Sequence, residues 1–272
     1  MLDSIRESAD YIRQQTHGFA PRAGIILGTG LGGLVRELDI HYTLSYENIP
    51  HFPVSTVEGH SGKLIFGLLR GKNVVVMQGR FHYYEGYSMQ QVVFPVRVMH
   101  ALGINFLFVS NASGGVNPSF EIGDVMMLND HINLLPSNPL IGKNEKELGP
   151  RFPDMSEPYD RLMIQHAKTF AMAEGFKLHE GVYVSVSGPC FETPAEYRYM
   201  RIIGGDAVGM STVPEVICAR HMGIPCFAVS VITDLGVEGK IKEVTHEDVI
   251  EAASRAEVKM TAIFSHLVAE HI

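Results

Sequence analysis

The chain has 272 residues, 46% of them hydrophobic and 19% charged, with no tryptophan. That length builds one large domain or two small ones with a sizeable buried core, and the formal charge of −8 argues against a nucleic-acid partner, which wants a basic face. Three cysteines, Cys190, Cys218 and Cys226, have no metal-ligand spacing, and their odd count excludes a complete intramolecular disulfide framework, so reduced thiols in a cytoplasmic protein are expected.

Met1 to Thr16 carries Asp3, Arg6, Glu7, Asp10 and Arg13 and reads as an amphipathic helix. It has no apolar core of a secretion signal, and no run approaches the 18 apolar residues of a membrane span. No membrane partner is expected. Apolar or β-branched runs predict strands at Gly24–Leu27, Leu64–Leu69, Val74–Gln78, Phe106–Ser110, Val125–Leu128, Val182–Val186 and Cys226–Ile232. Helices are predicted at Ser88–Leu102, Tyr159–Glu174, Pro194–Ile203, Val213–His221 and Thr245–Glu270. Thr245 can cap the last of these, and the acids that follow suit its N-terminal dipole. Near-continuous apolar strands alternating with helices indicate an α/β domain with a central sheet covered on both faces. No repeat or linker divides the chain, so residues 1–272 read as a single domain. Asn129–Pro158 holds five prolines and little periodicity, the mark of a long functional loop, a lid or a subunit contact.

Ligands collect at the carboxyl ends of such strands. Here those ends carry Gly28-Thr29-Gly30, Gly79-Arg80, Asn111-Ala112-Ser113-Gly114-Gly115 and Thr233-Asp234, which suggests one site assembled from distant segments. Gly28 to Gly33 matches GxGxxG, but the helical stretch after it is too short for a dinucleotide unit. Its backbone amides and the Thr29 hydroxyl suit a single phosphate; a purely structural tight turn gives the same pattern. Arg80 and His82, followed by Tyr84, put a planar fork of donors and an imidazole at one strand exit, fit for an oxyanion and a sugar or for an ordinary solvated strand end. The Asn111–Gly115 stretch reads as a second small-residue loop. Phe191 and Glu192 precede a helix that Thr193 can cap and Pro194 can open. An aromatic face beside a carboxylate suits a planar heterocycle with an N–H edge, although capping and packing explain it equally well. Met210 offers a flat apolar contact and Ser211 a hydroxyl. Asp234 ends a buried strand, where a carboxylate needs a partner. His60 lies in a loop, where a lone histidine is more often solvated than functional. With no nucleophile elbow, HExxH or metal-ligand cluster, the inventory fits a reaction whose nucleophile is bound phosphate.

These segments, in this order from the Gly28 loop to His246, resemble the purine nucleoside phosphorylases of the low-molecular-mass, homotrimeric class. The resemblance implies a central mixed sheet flanked by helices, a homotrimer, and the reversible phosphorolysis of purine (deoxy)ribonucleosides, without metal or organic cofactor. It implies phosphate held by Thr29, Arg80, His82, the Ala112 amide and Ser211, with His60 nearby. Tyr84 would meet the ribose, Met210 would lie under it, and His246 would hold the 5′-hydroxyl. Phe191 would pack on the purine, Glu192 would accept from N1–H, and Asp234, with Thr233 beside it, would address N7 and the 6-substituent. His82, Glu192 and Asp234 are the implied catalytic residues. Three positions depart from the pattern: Thr29 replaces a common serine, Leu148 stands where a neighbouring subunit usually lends an aromatic ring, and Asp234 replaces the asparagine of 6-oxopurine enzymes. The nearest rival is the related methylthioadenosine phosphorylase. Asp234 and Thr29 lean toward it, whereas Glu192 and His246 lean toward inosine and guanosine. A non-catalytic purine binder is the remaining alternative.

Overall fold

The computed structural model describes residues 1–54 and 61–272. Among these, nine strands form one mixed sheet: β1 (Ala23–Leu27), β2 (Asp39–Ser45), β3 (Lys63–Leu69), β4 (Lys72–Gln78), β5 (Phe106–Gly115), β6 (Val125–Asn133), β7 (His179–Ser185), β8 (Ala207–Gly209) and β9 (Cys226–Leu235). Their order is β2-β3-β4-β1-β5-β8-β7-β6-β9, and β5 pairs with β9 as well. The second half of the sheet therefore closes into a ring, β5-β8-β7-β6-β9, while the first half fans outward. All five residues of β1 are buried, as are all but the last of β9. Both faces of these strands are covered, which is why their sequences lack alternation.

The helices are α1 (Leu2–Gln15), α2 (Met89–Val92), α3 (Phe94–Leu102), α4 (Arg161–Ala173), α5 (Pro194–Ile202), α6 (Val213–His221) and α7 (His246–His271). Thr245 caps α7 as read from the sequence, and the cap is reciprocal with Asp248: Asp248 N donates to Thr245 Oγ1 at 3.2 Å and Thr245 N to Asp248 Oδ2 at 2.9 Å. The helix predicted over Ser88–Leu102 is two helices, because Pro95 lacks an N–H and opens a new first turn after Val93. Helix α4 starts later than predicted because Asp160 caps it, its Oδ1 accepting from Met163 N at 2.9 Å.

Two further corrections concern strands. Asn111–Gly115 is not a loop: β5 runs straight through it, with Gly114 and Gly115 paired to Val208 and Ala207 on one side and to Asp234 and Leu235 on the other. Small residues let the ring close there, and a register shift between Ser113 and Gly114 absorbs the bend. Strand β2 was unmarked because it is an outer strand with its first three residues exposed, and β8 because it is three residues long.

The segment between β6 and α4 has no regular element of its own and is clamped by α6. His221 Nε2 meets Pro150 O at 3.0 Å and Asn144 Oδ1 at 3.2 Å, while its Nδ1 lies 3.3 Å from Arg97 Nη1. Leu148, in this segment, is packed into the core of its own chain at 8% exposure.

Candidate active site

The carboxyl ends of β1, β4, β5 and β9 converge on a cavity of about 340 Å³. Thr29, Arg80, His82, Tyr84, Ala112, Phe191, Glu192, Met210, Ser211, Thr233, Asp234 and His246 all line it, so the sequence-predicted site residues come together in one place. The exception is His60, which lies outside the described residues. The glycine loop behaves differently from expectation. Gly28 N donates to Ser110 Oγ at 3.2 Å, Leu31 N to Gly28 O at 3.1 Å, and Gly33 N to the Glu257 carboxylate of α7. These amides serve the fold, and the Thr29 side of the loop faces the cavity.

One end of the cavity is built for an oxyanion. Arg80 is 1% exposed; its Nη1 donates to Ser211 Oγ at 2.9 Å and its Nε lies 3.1 Å from Glu215 Oε1. The chain reaches Ser211 through a strained turn. Thr212 adopts φ +71° and ψ −54°, and Val213 N donates to Ser211 O at 2.8 Å, closing a γ-turn. A β-branched residue there costs about 1–3 kcal/mol and persists only where its surroundings enforce it. Asn111 does so: its Nδ2 donates to Thr212 Oγ1 at 2.8 Å and its Oδ1 accepts from Ser230 Oγ at 2.7 Å. His82 stacks on Tyr84, with centroids 4.7 Å apart and planes 14° apart, and its Nδ1 lies 3.0 Å from Glu85 Oε1. Burial pulls the His82 pKa down despite that carboxylate, and a neutral ring beside a carboxylate donates to it from Nδ1. Burial pushes the Tyr84 phenol up to about 12.

The other end holds two carboxyl groups and a phenol. Asp234 is 7% exposed; Thr233 Oγ1 lies 3.1 Å from its Oδ1 and Tyr197 Oη donates to its Oδ2 at 3.2 Å. Gly114 makes room for it, since a Cβ there would sit 2.9 Å from Oδ2. Burial raises the Asp234 pKa. Glu192, half-buried at the rim, is pushed up to about 6, first by burial and then by the Asp234 charge. Burial, together with the charges of Asp234 and Glu192, holds the Tyr197 pKa well above the ordinary phenol value. Phe191, 44% exposed, and Met210 supply the apolar walls.

Sequence reasoning singled out none of Asn111, Glu215, Glu85 or Tyr197 for a role of its own. The first three sit inside stretches it had marked, but Tyr197 carries no local signal beyond its place on a helix. Among the described residues no cluster of His, Cys, Asp and Glu side chains is arranged to hold a metal ion, and no helix is long and apolar enough to cross a membrane.

A family model described as the phosphorylase superfamily matches residues 22–269. The chain is 52% identical to purine nucleoside phosphorylase 1 of Geobacillus stearothermophilus, over 93% of this chain and 92% of that one. The structure of Schistosoma mansoni purine nucleoside phosphorylase with adenosine superposes with a TM-score of 0.93 at 44% identity, covering 99% of this chain and 98% of that one. A schistosoma purine nucleoside phosphorylase with hypoxanthine gives the same score, identity and coverage.

Proposed function

The chain belongs to the phosphorylase superfamily, within its purine nucleoside phosphorylases, and from that premise we propose that it catalyses the reversible phosphorolysis of purine ribo- and deoxyribonucleosides, with inosine and guanosine preferred. The observation that carries this reading is the convergence of the oxyanion end, the sugar-facing Tyr84, Met210 and His246, and the base-facing Phe191, Glu192, Thr233 and Asp234 on one cavity.

In this reading Arg80, Ser211, Thr29 and the Ala112 amide hold hydrogen phosphate, and His82 Nε2 accepts the one proton that anion retains. Cleavage of the glycosidic bond makes C1′ cationic; the bound phosphate stabilises that charge and then captures the carbon. The departing purine gains negative charge, which a protonated Asp234 relieves at N7 while Glu192 accepts from N1–H. Fixed donors aimed at developing charge are usually the largest catalytic contribution, and losing one costs about 10²–10³ in rate. Phosphate is a co-substrate, and no metal or organic cofactor belongs to the proposal. A methylthioadenosine phosphorylase is disfavoured, because Glu192 and His246 both line the cavity, where a carboxylate suits N1–H and an imidazole suits a 5′-hydroxyl.

We assign the protein to the cytoplasm, in keeping with three unpaired cysteines. A homotrimer also belongs to this proposal: Ile141 and Phe152, on the long segment, are 63% and 88% exposed, apolar surface of the kind a neighbouring subunit covers. The test of function is base release from inosine, guanosine, adenosine and methylthioadenosine with and without phosphate. Phosphate-dependent release from inosine or guanosine is expected. Release confined to methylthioadenosine, or none at all, would overturn the reading.

A further inference from the structure

We propose that Asn111 is a positioning residue for the phosphate co-substrate: it holds Thr212 in a strained turn, and that turn keeps the Ser211 hydroxyl against Arg80. This rests on the phosphorolysis reading and deepens it by naming what fixes the oxyanion end. Arg80 is gripped on both sides of the turn. Its Nη1 donates to Ser211 Oγ at 2.9 Å, before the turn, and its Nε lies 3.1 Å from Glu215 Oε1, after it. A guanidinium is planar and rigid, so both contacts hold only if the residues between Ser211 and Glu215 keep one span. Thr212 carries the strain of that span, with φ +71° and ψ −54°, the rare form of the γ-turn.

The constraint is a buried amide. Thr212 stands at the N-cap of α6, yet its hydroxyl does not cap that helix, a contribution threonine usually makes there. It accepts instead from Asn111 Nδ2 at 2.8 Å. Asn111 Oδ1 accepts in turn from Ser230 Oγ at 2.7 Å, and Asn111, Thr212 and Ser230 are each at most 1% exposed. Asn111 and Ser230 face each other in register on β5 and β9, so the sheet dictates the turn. The main chain of Ser211 has separate anchors, its carbonyl accepting from Ser185 Oγ at 3.2 Å and its amide donating to Tyr183 Oη at 3.4 Å. Removing the amide should therefore loosen the turn and leave the strand end fastened. Asn111 also lines the cavity, so the test must separate a clamp from a direct contact.

Asn111→Ala removes the clamp, and Thr212→Gly removes the need for it, since glycine takes positive φ without steric cost. The experiment measures kcat and the KM values for inorganic phosphate and inosine in the full chain, both single variants and the double variant. In Asn111→Ala, KM for phosphate should rise about tenfold to a hundredfold, the loss of one hydrogen bond to a charged group. Loss of uniform binding leaves kcat and KM for inosine within about threefold. On the Thr212→Gly background the same substitution should cost less than about threefold, the non-additivity of two residues that share one turn. An equal cost on both backgrounds would make Asn111 a direct phosphate contact and overturn the proposal. Parallel rises in both KM values would reduce it to packing and overturn it too. Where Asn111→Ala does not fold, Ser230→Ala takes its place, expected to raise KM for phosphate about threefold in the parent and not on Thr212→Gly; no rise in the parent would overturn the clamp. An unmodified chain that releases no base from inosine with phosphate would instead overturn the functional reading.

Discussion

Glu215→Gln tests the oxyanion end of the cavity with a single atom exchanged. The Glu215 and Arg80 side chains are 3% and 2% exposed, with Oε1 and Nε 3.1 Å apart. Both charges have given up their hydration, so removing one leaves the other with an uncompensated desolvation cost. Breaking such a pair from one side costs about 3–5 kcal/mol. Glutamine keeps an acceptor, which points to the lower end. At about 2–4 °C per kcal/mol for a chain near this size, the phosphate-free variant should melt about 6–12 °C below its parent. Phosphate then reverses the argument, because a dianion beside Arg80 supplies the charge that glutamine lacks. The stabilisation a ligand gives grows with concentration over Kd, and the variant should hold phosphate more tightly. Thermal melting is read over a phosphate titration at constant ionic strength. The expected result is a gap between the two proteins that narrows as phosphate rises. A gap that stays constant, or a variant as stable as its parent without phosphate, would refute the placement of phosphate on Arg80.

Other outcomes follow from the base end. Glu192 has its pKa raised from 4.5 to about 6 in the folded chain, so its carboxyl favours folding below about pH 4.5 and loses that contribution as pH climbs through 6. Glu192→Gln should therefore gain stability relative to the parent across that window and hold a constant advantage above it. A melting difference that does not change with pH would contradict this. Asp234→Asn keeps a donor at every pH, so the alkaline fall in kcat/KM for inosine expected of the parent should disappear; an unaltered profile would show that the Asp234 proton is not used. Gly114→Ala places a methyl 2.9 Å from Asp234 Oδ2 and should raise KM for inosine at least about threefold with little change in melting temperature, whereas unchanged KM would show that the carboxyl has room to spare.

The sheet strands and long helices were legible because burial on both faces writes continuous apolar runs, as in Ile25-Ile26-Leu27 and Val74-Val75-Val76. The convergence of Thr29, Arg80, Asp234 and their companions was legible because strand ends carry their ligand residues with them. Other features were not. Asn111–Gly115 looks like a loop because small residues signal turns, yet here they allow two strands to pack against a third. The amides at Gly28 and Gly33 look ready for phosphate, but their partners, Ser110 and Glu257, lie far away in sequence. Tyr197 and Glu215 act only through residues on other elements, and nothing local distinguishes them from core or capping positions. The strain at Thr212 is equally silent, since threonine has no preference for positive φ.

The ring of strands also bears on how the protein is made. Among the strands of the described residues β9 comes last in the chain, yet it pairs with β5 and β6, whose residues emerged long before it. The ring therefore stays open on the ribosome until Leu235 has appeared, and α7, which packs on β9 and carries His246 and Glu257, follows later still. Until then the edges of β5 and β6 that β9 will cover have no partner from this chain, and unpaired strand edges of this kind are prone to aggregate. A chain stopped before α7 would lack His246 and the helix that covers β9, and should be inactive and prone to aggregate.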